Sequence, residues 1–180
     1  RQIRGLADGL LPTSLRDPDG NAEERGGTIS LFDGPTPTTA LFQNVDEEIA
    51  AVTRILRNAV DQGLPAGEIG IFVRSPEALD RAIQASGGAG ISNSATVALM
   101  HLAKGLEFRL VIVMGCDEDL LPLQSRIADA ADEGELDDIY ETERQLLYVA
   151  CTRARDQLVL TGVAPGSEFL SDLNANSTTH

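Results

Sequence analysis

An α/β domain built on a mainly parallel sheet is what this sequence predicts, on three observations. Segments of strand period and of helix period alternate along the chain. Ile69–Val73 (IGIFV) is short and almost wholly apolar, as a strand covered on both faces must be. Val97–Gly115, VALMHLAKGLEFRLVIVMG, sets two apolar runs around a polar turn holding His101, Lys104, Gly105 and Glu107.

Taken in order, Arg1–Leu11 places Ile3, Leu6, Ala7, Leu10 and Leu11 at the spacing of an amphipathic helix, with Pro12 beyond its end. No cap precedes that helix, which suggests a piece of something longer. Pro12–Gly27 reads as a polar loop with a Pro-Asp-Gly turn, and Thr28–Phe32 and Thr39–Gln43 as short strands. Asp46 is expected to cap a helix whose buried face is Ile49, Val52, Leu56, Ala59 and Val60, stopped by Gly63 and Pro65. After Ile69–Val73 come Arg74, a capping Ser75, and Pro76 in the first turn of a helix that fades at Gly87-Gly88. Gly87–Ser94 is a connector in which only Ile91 is a candidate for the core. Strands at Thr96–Met100 and Phe108–Gly115 enclose the turn His101–Glu107. An acidic connection opens with Asp117-Glu118-Asp119 and runs through Asp138. A helix over Ile139–Arg153, with Ile139, Glu143 and Leu146–Leu147 at helical spacing, leads to a strand at Gln157–Thr161. One domain over residues 1–173 and a disordered polar tail over 174–180 complete the expectation.

Bulk properties narrow the function. The 180 residues suit one domain with its own core, and the net charge of −14 repels polyanions, so strong nucleic-acid binding by the isolated chain is disfavoured. No apolar run reaches the ~20 residues of a membrane span, and no signal peptide opens the chain. Cys116 and Cys151 stand alone in sequence and read as buried thiols of a reducing, cytoplasmic setting. Two Cys and two His without a C-x-x-C pair make a structural zinc site a poor fit.

The turn His101–Glu107 is the richest constellation. Lys104 is the single lysine beside thirteen arginines, a compact charge suited to a phosphate. Gly105 allows close backbone approach, and Glu107 can accept hydrogen bonds from sugar hydroxyls. The plainer alternative is a Lys104–Glu107 surface ion pair. Arg74 and His101–Glu107 each follow a strand, which places both on the carboxyl rim where such sheets collect ligands. Arg153 ends a helix, where a cation is favourable in any case. Asp117-Glu118-Asp119 reads as a solvated acidic loop rather than a metal site, and Arg109, Arg126 and Arg144 as surface-paired residues.

VALMHLAKGLEFRLVIVMG and ETERQLLYVACTRARDQLVLTG together closely resemble the fifth and sixth motifs of UvrD/Rep-type superfamily 1 DNA helicases, and IGIFVRSPEAL resembles the fourth. The resemblance covers about Ile69–Thr161. It implies a RecA-like second motor domain, akin to phosphate-loop NTPases but without a phosphate loop, since Lys104 follows Ala103 rather than glycine. In that family, ATP with Mg2+ lies between two RecA-like lobes, and the magnesium carboxylates belong to the N-terminal lobe. The resemblance assigns Arg74 and Arg153 to the γ-phosphate, Glu107 to the ribose, and His101 and Lys104 to single-stranded DNA. The implied partners are an N-terminal RecA-like domain and single-stranded DNA, with no membrane. Leu99 replaces the family's threonine and Val73 its aromatic. Only about ten residues stand where larger members insert an accessory domain. A non-catalytic RecA-like interaction or regulatory module is the alternative, and a lobe of a helicase–nuclease would differ only outside this chain.

Overall fold

A computed structural model describes residues 14–16, 22–24 and 38–170. The expected helix over Arg1–Leu11, the strand over Thr28–Phe32 and the tail over 174–180 lie outside them. Within the stretch read as a loop, β1 (Ser14–Arg16) and β2 (Ala22–Glu24) pair antiparallel on either side of the Pro-Asp-Gly sequence.

The remaining strands are β3 (Thr38–Phe42), β4 (Ile69–Val73), β5 (Thr96–Leu99), β6 (Phe108–Val113) and β7 (Ala154–Val163). They form one sheet in the order β3-β7-β6-β4-β5, and every neighbouring pair is parallel. Parallel pairing requires crossovers. Those after β3 and β4 are helices, α1 (Val45–Asp61) and α2 (Pro76–Gly88). Short α3 (Gln124–Ala128) and long α4 (Glu133–Thr152) lie between β6 and β7. β5 joins β6 through Met100–Glu107 alone, which begins with a 3-10 turn at Met100–Leu102.

Strand alternation divides the core in two. Ile69, Ile71, Val73, Leu110 and Ile112 pack with Val52 and Leu56 of α1 and Ala78, Ala82 and Ala85 of α2. Phe72, Val111, Val113, Leu158 and Leu160 pack on the other face with Leu147, Ala150 and Cys151 of α4. Met100 and Ala103 of the β5–β6 connection join that second layer. The alternating and apolar runs therefore did their expected work, and Ile91 is buried as anticipated.

Several boundaries differ from expectation. Asn44, not Asp46, caps α1: its Oδ1 accepts from Glu47 N at 2.9 Å, while the Glu47 carboxylate accepts from Gln43 N at 3.1 Å. Asp46 instead lies in the first turn with Glu47 and Glu48. Ser75 does precede α2, but its hydroxyl makes no capping bond and is buried without a partner. α4 starts at Glu133, capped by Asp132, because an acidic first turn suits the helix dipole as well as an apolar one would. β7 is longer than Gln157–Thr161, and β6 ends at Val113. Both cysteines are free and buried. Burial raises the Cys116 pKa well above the ordinary range and that of Cys151 to about 12, so neither is a reactive thiolate.

Gly70 of β4 leaves room for the edge-to-face pair Phe72–Phe108, whose centroids are 5.8 Å apart. A Cβ there would lie 2.7 Å from Phe108 Cδ2 and 2.9 Å from Phe72 Cε2. Gly70→Ala gains ~0.4–1 kcal/mol by restricting the unfolded chain but forces this ring pair apart at ~1–3 kcal/mol. The clash should win, and a lowered urea midpoint with unchanged slope checks it.

Candidate functional site

Among the described residues, each face of the carboxyl edge of the sheet carries a network of charged side chains. On the α1/α2 side, the fully buried Glu48 accepts from Gly115 N (2.9 Å), Thr161 Oγ1 (2.7 Å) and Arg81 Nη1 (2.9 Å). Arg81 continues to Asp117 at 2.7 Å, and Asp117 also accepts from Val163 N at 2.6 Å. Asp117 is thus a structural acceptor at the ends of β6 and β7, not a solvated loop residue.

On the α4 side the centre is Glu143, a fully buried carboxylate. Arg74 grips it through two parallel bonds of 2.6 Å, Nε to Oε2 and Nη2 to Oε1. Arg126 Nη1 donates to Oε1 at 2.9 Å and Leu123 N to Oε2 at 3.2 Å. Burial pushes the Glu143 pKa up, but the Arg74 bonds and charge, with Leu123 N–H and Arg126, outweigh it and hold the pKa below the ordinary 4.5. Arg126 is therefore more than a surface-paired residue. So is Arg144, whose guanidinium stacks over Tyr140 and Phe169.

Arg153 is placed differently. It is the C-cap of α4, and its carbonyl accepts from Phe108 N at 2.9 Å, which joins the starts of β6 and β7. Its guanidinium donates to Val149 O (3.2 Å), Leu106 O (3.3 Å) and Thr152 Oγ1 (3.3 Å). These acceptors are neutral, and among the described residues no carboxylate forms an ion pair with Arg153. Glu107, exposed, follows Leu106 directly. Arg153 and Glu107 thus adjoin at the amino edge of the sheet.

Arg74 does not join them, which corrects the expectation of a pocket shared by both arginines. It follows Val73 at the carboxyl edge, and Phe72 pairs with Val113 while Phe108 pairs with Ala154. Arg74 is then level with Gly115 and Arg153 with Glu107, a separation of about 25 Å along the strands at ~3.3 Å per residue. Its fork is also fully occupied by Glu143.

The turn His101–Glu107 likewise does not sit on one rim. It leaves β5 at the carboxyl edge and enters β6 at the amino edge, crossing the α4 face. Met100 and Ala103 anchor it below, while His101, Leu102, Lys104, Gly105, Leu106 and Glu107 are exposed. Lys104 occupies the tip of a turn closed by Leu106 N to Ala103 O at 3.2 Å, and Gly105 takes φ +80°, a conformation that favours glycine. His101 lies toward the carboxyl edge and Glu107 at the amino edge.

Sequence reasoning passed over Glu143 as a functional residue. The available signal was its place on the apolar stripe of α4, between Ile139 and Leu147, where a carboxylate survives only with buried partners. Glu143→Gln leaves two arginines facing a neutral amide and should cost ~3–5 kcal/mol at neutral pH. Because folding lowers the Glu143 pKa, its contribution is complete above 4.5 and is lost as pH falls below that value. Urea unfolding at neutral pH and below 4.5 should show a smaller acid-induced loss of stability in the variant than in wild type.

Residues 82–164 match the model of the UvrD-like helicase C-terminal domain. The ATP-dependent DNA helicase PcrA of Bacillus subtilis (strain 168) is 31% identical over 121 residues, covering 67% of this chain and 15% of that protein. PcrA of Staphylococcus epidermidis (strain RP62A) is 42% identical over 73 residues, 41% of this chain and 9% of that protein. The chain therefore spans a small part of the length of these relatives. A crystal structure of the C-terminal domain of a possible DNA helicase from Lactobacillus plantarum WCFS1 superposes with TM-score 0.63 at 21% identity, covering 97% of this chain and 91% of that one, which establishes the shared fold. Motif order, parallel sheet and family match converge: through residues 82–164, this RecA-like chain belongs to the UvrD-like helicase C-terminal domain family.

Proposed function

We propose that the chain is the second motor lobe of an ATP-dependent DNA helicase or translocase, completing an ATP site whose phosphate loop lies on a separate N-terminal RecA-like domain. The observation that carries this reading is the guanidinium of Arg153, held by neutral acceptors beside the exposed Glu107. A cation that pairs with no carboxylate among the described residues is suited to an anion brought from outside. Placed against a transferring phosphoryl group, it would stabilise charge that develops in the transition state. Glu107 offers acceptors for ribose hydroxyls. In this reading Arg74 leaves the nucleotide set and supports the fold through Glu143.

ATP fits the amino edge in its donor chemistry: a cation for phosphate and a carboxylate for sugar. In this reading the Mg2+ that would accompany it is held by the other lobe. His101 and Lys104 are assigned to the backbone of single-stranded DNA. Their segment runs from one sheet edge to the other, so movement at Glu107 is passed to His101 through a short strip anchored by Met100 and Ala103. No helix among the described residues is long and apolar enough to cross a membrane.

With the upstream lobe rejoined, DNA-stimulated ATP hydrolysis tests the assignment. Arg153→Ala should lower kcat by roughly 10³–10⁵, as loss of an arginine on the transferred phosphate does elsewhere. Unchanged turnover removes Arg153 from the site. For the DNA contact, Lys104→Ala in the same two-lobed protein should reduce the salt dependence of single-stranded DNA binding by a slope of ~0.7, the loss of one phosphate contact. An unaltered slope in a fluorescence-anisotropy titration would place Lys104 off the track.

A further inference from the structure

We propose that Glu143 is a positioning residue for Arg153: by pinning α4 to the end of β4, it sets where the arginine at the far end of that helix meets a phosphate. The inference rests on the assignment of Arg153 to the nucleotide, but it concerns a residue that this assignment does not require.

Glu143 lies inside α4 and Arg153 caps it. The ten intervening steps span about 15 Å of continuous helix, at ~1.5 Å per residue. A helix of that length moves as a rod, so an axial shift or roll at Glu143 appears at Arg153. Between them the helix meets the core through Leu147, Ala150 and Cys151, with Leu146, Tyr148 and Val149 packed against the same cluster. Apolar contacts are non-directional, so they hold the helix on the sheet without by themselves specifying its registry. The Arg74–Glu143 fork has two bonds of 2.6 Å, and Arg74 follows a strand with neighbours on both sides. It is the contact that indexes α4 to the sheet in both distance and rotation, the registry role in which buried ion pairs are best attested. Arg126 and Leu123 N–H engage the same two oxygens and keep the carboxylate from turning away.

At the other end, two of the three acceptors of the Arg153 guanidinium, Val149 and Thr152, lie on α4 itself. Only Leu106 O belongs to another element, at 3.3 Å. The Arg153 backbone is also tied to the sheet, where its carbonyl accepts from Phe108 N at 2.9 Å, so what α4 and its Glu143 anchor set is the approach of the guanidinium rather than the position of the backbone. Catalytic groups tolerate little displacement: a shift of ~1 Å can cost about a hundredfold in rate.

The test is DNA-stimulated ATP hydrolysis by the two-lobed protein in a double-mutant series. Glu143→Gln, Arg74→Lys and Arg153→Ala are measured singly, and the first two again in the Arg153→Ala background. Arg74→Lys keeps the charge beside Glu143 but loses the planar fork, so it carries the test if Glu143→Gln does not fold, which thermal melting decides. Either folded variant should lower kcat about ten- to a hundredfold with the KM for ATP changed less than about twofold. Once Arg153 is absent, the same substitution should cost less than about twofold, because its effect passes through that arginine. An equal fractional loss with and without Arg153, or undiminished kcat in a folded Arg74→Lys protein, overturns the positioning role. Arg153→Ala that is silent by itself overturns the nucleotide assignment instead.

Discussion

A carboxylate sealed from water needs counter-charge, and on the α4 side of this domain the architecture follows from that requirement at Glu143. Removing one partner of a buried pair is far more damaging than the pair is stabilising, so such an arrangement constrains geometry more than it adds to stability. Arg74 comes from the end of β4, Leu123 and Arg126 from the β6–α4 connection, and Glu143 from α4. Three separate parts of the chain must converge for one buried charge to be tolerated. Glu48 imposes the same demand on the opposite face, drawing together α1, α2 and the ends of β6 and β7. The carboxyl edge is cross-linked twice, by charges with no low-energy alternative.

On the proposed assignment of Arg153 and Glu107 to the nucleotide, the usual expectation for open α/β sheets does not hold, and that cross-linking supplies a reason. Crevices at the carboxyl ends of parallel strands normally take ligands, because loops diverge there and helix N-termini point inward. In this domain those ends are closed by the domain's own guanidinium and carboxylate groups. Arg153, which pairs with no carboxylate among the described residues, lies at the amino edge, where helix α4 ends and β7 begins. A lobe that holds its own nucleotide would have little use for an arginine there. A lobe that completes a site on a neighbour needs its cation on an outer edge, with its own crevice closed.

Much of this was legible in the residues, and the failures have identifiable causes. IGIFV could only be a covered strand, and Pro76 after an apolar run could only begin a helix. The two motifs around Lys104 and Arg153 specified the fold family because long runs in register are hard to match by chance. What could not be read was which sheet edge each polar residue would reach. The connection Met100–Glu107 between β5 and β6 looks like a tight turn in sequence. Because the two strands are parallel and separated by β4, those residues must instead travel the length of the sheet. That long-range fact moves Glu107 away from His101 and Arg74 away from Arg153. Glu143 escaped notice for the complementary reason: its partners lie 17 and 69 positions away, and no local pattern encodes them. Asn44, rather than Asp46, caps α1 because its own side chain reaches Glu47 N, a bond that the sequence does not display.

Charge sets the last constraint on how such a lobe can engage DNA. At −14, the chain's long-range field opposes a polyanion, whereas a phosphate contact at Lys104 acts over a few ångströms. The only lysine sits at the tip of an exposed turn, flanked by the exposed Leu102 and Leu106 and distant in sequence from the acidic run that leads into α4. Exposed apolar residues on both sides of a cation are poorly placed in free solvent and well placed where a second surface closes over them. Approach of DNA to Lys104 and docking of a partner lobe over Leu102 and Leu106 are then one requirement rather than two. On the proposed reading, the net charge of −14 makes any grip on the strand depend on short-range contacts such as Lys104 rather than on the long-range field of the lobe.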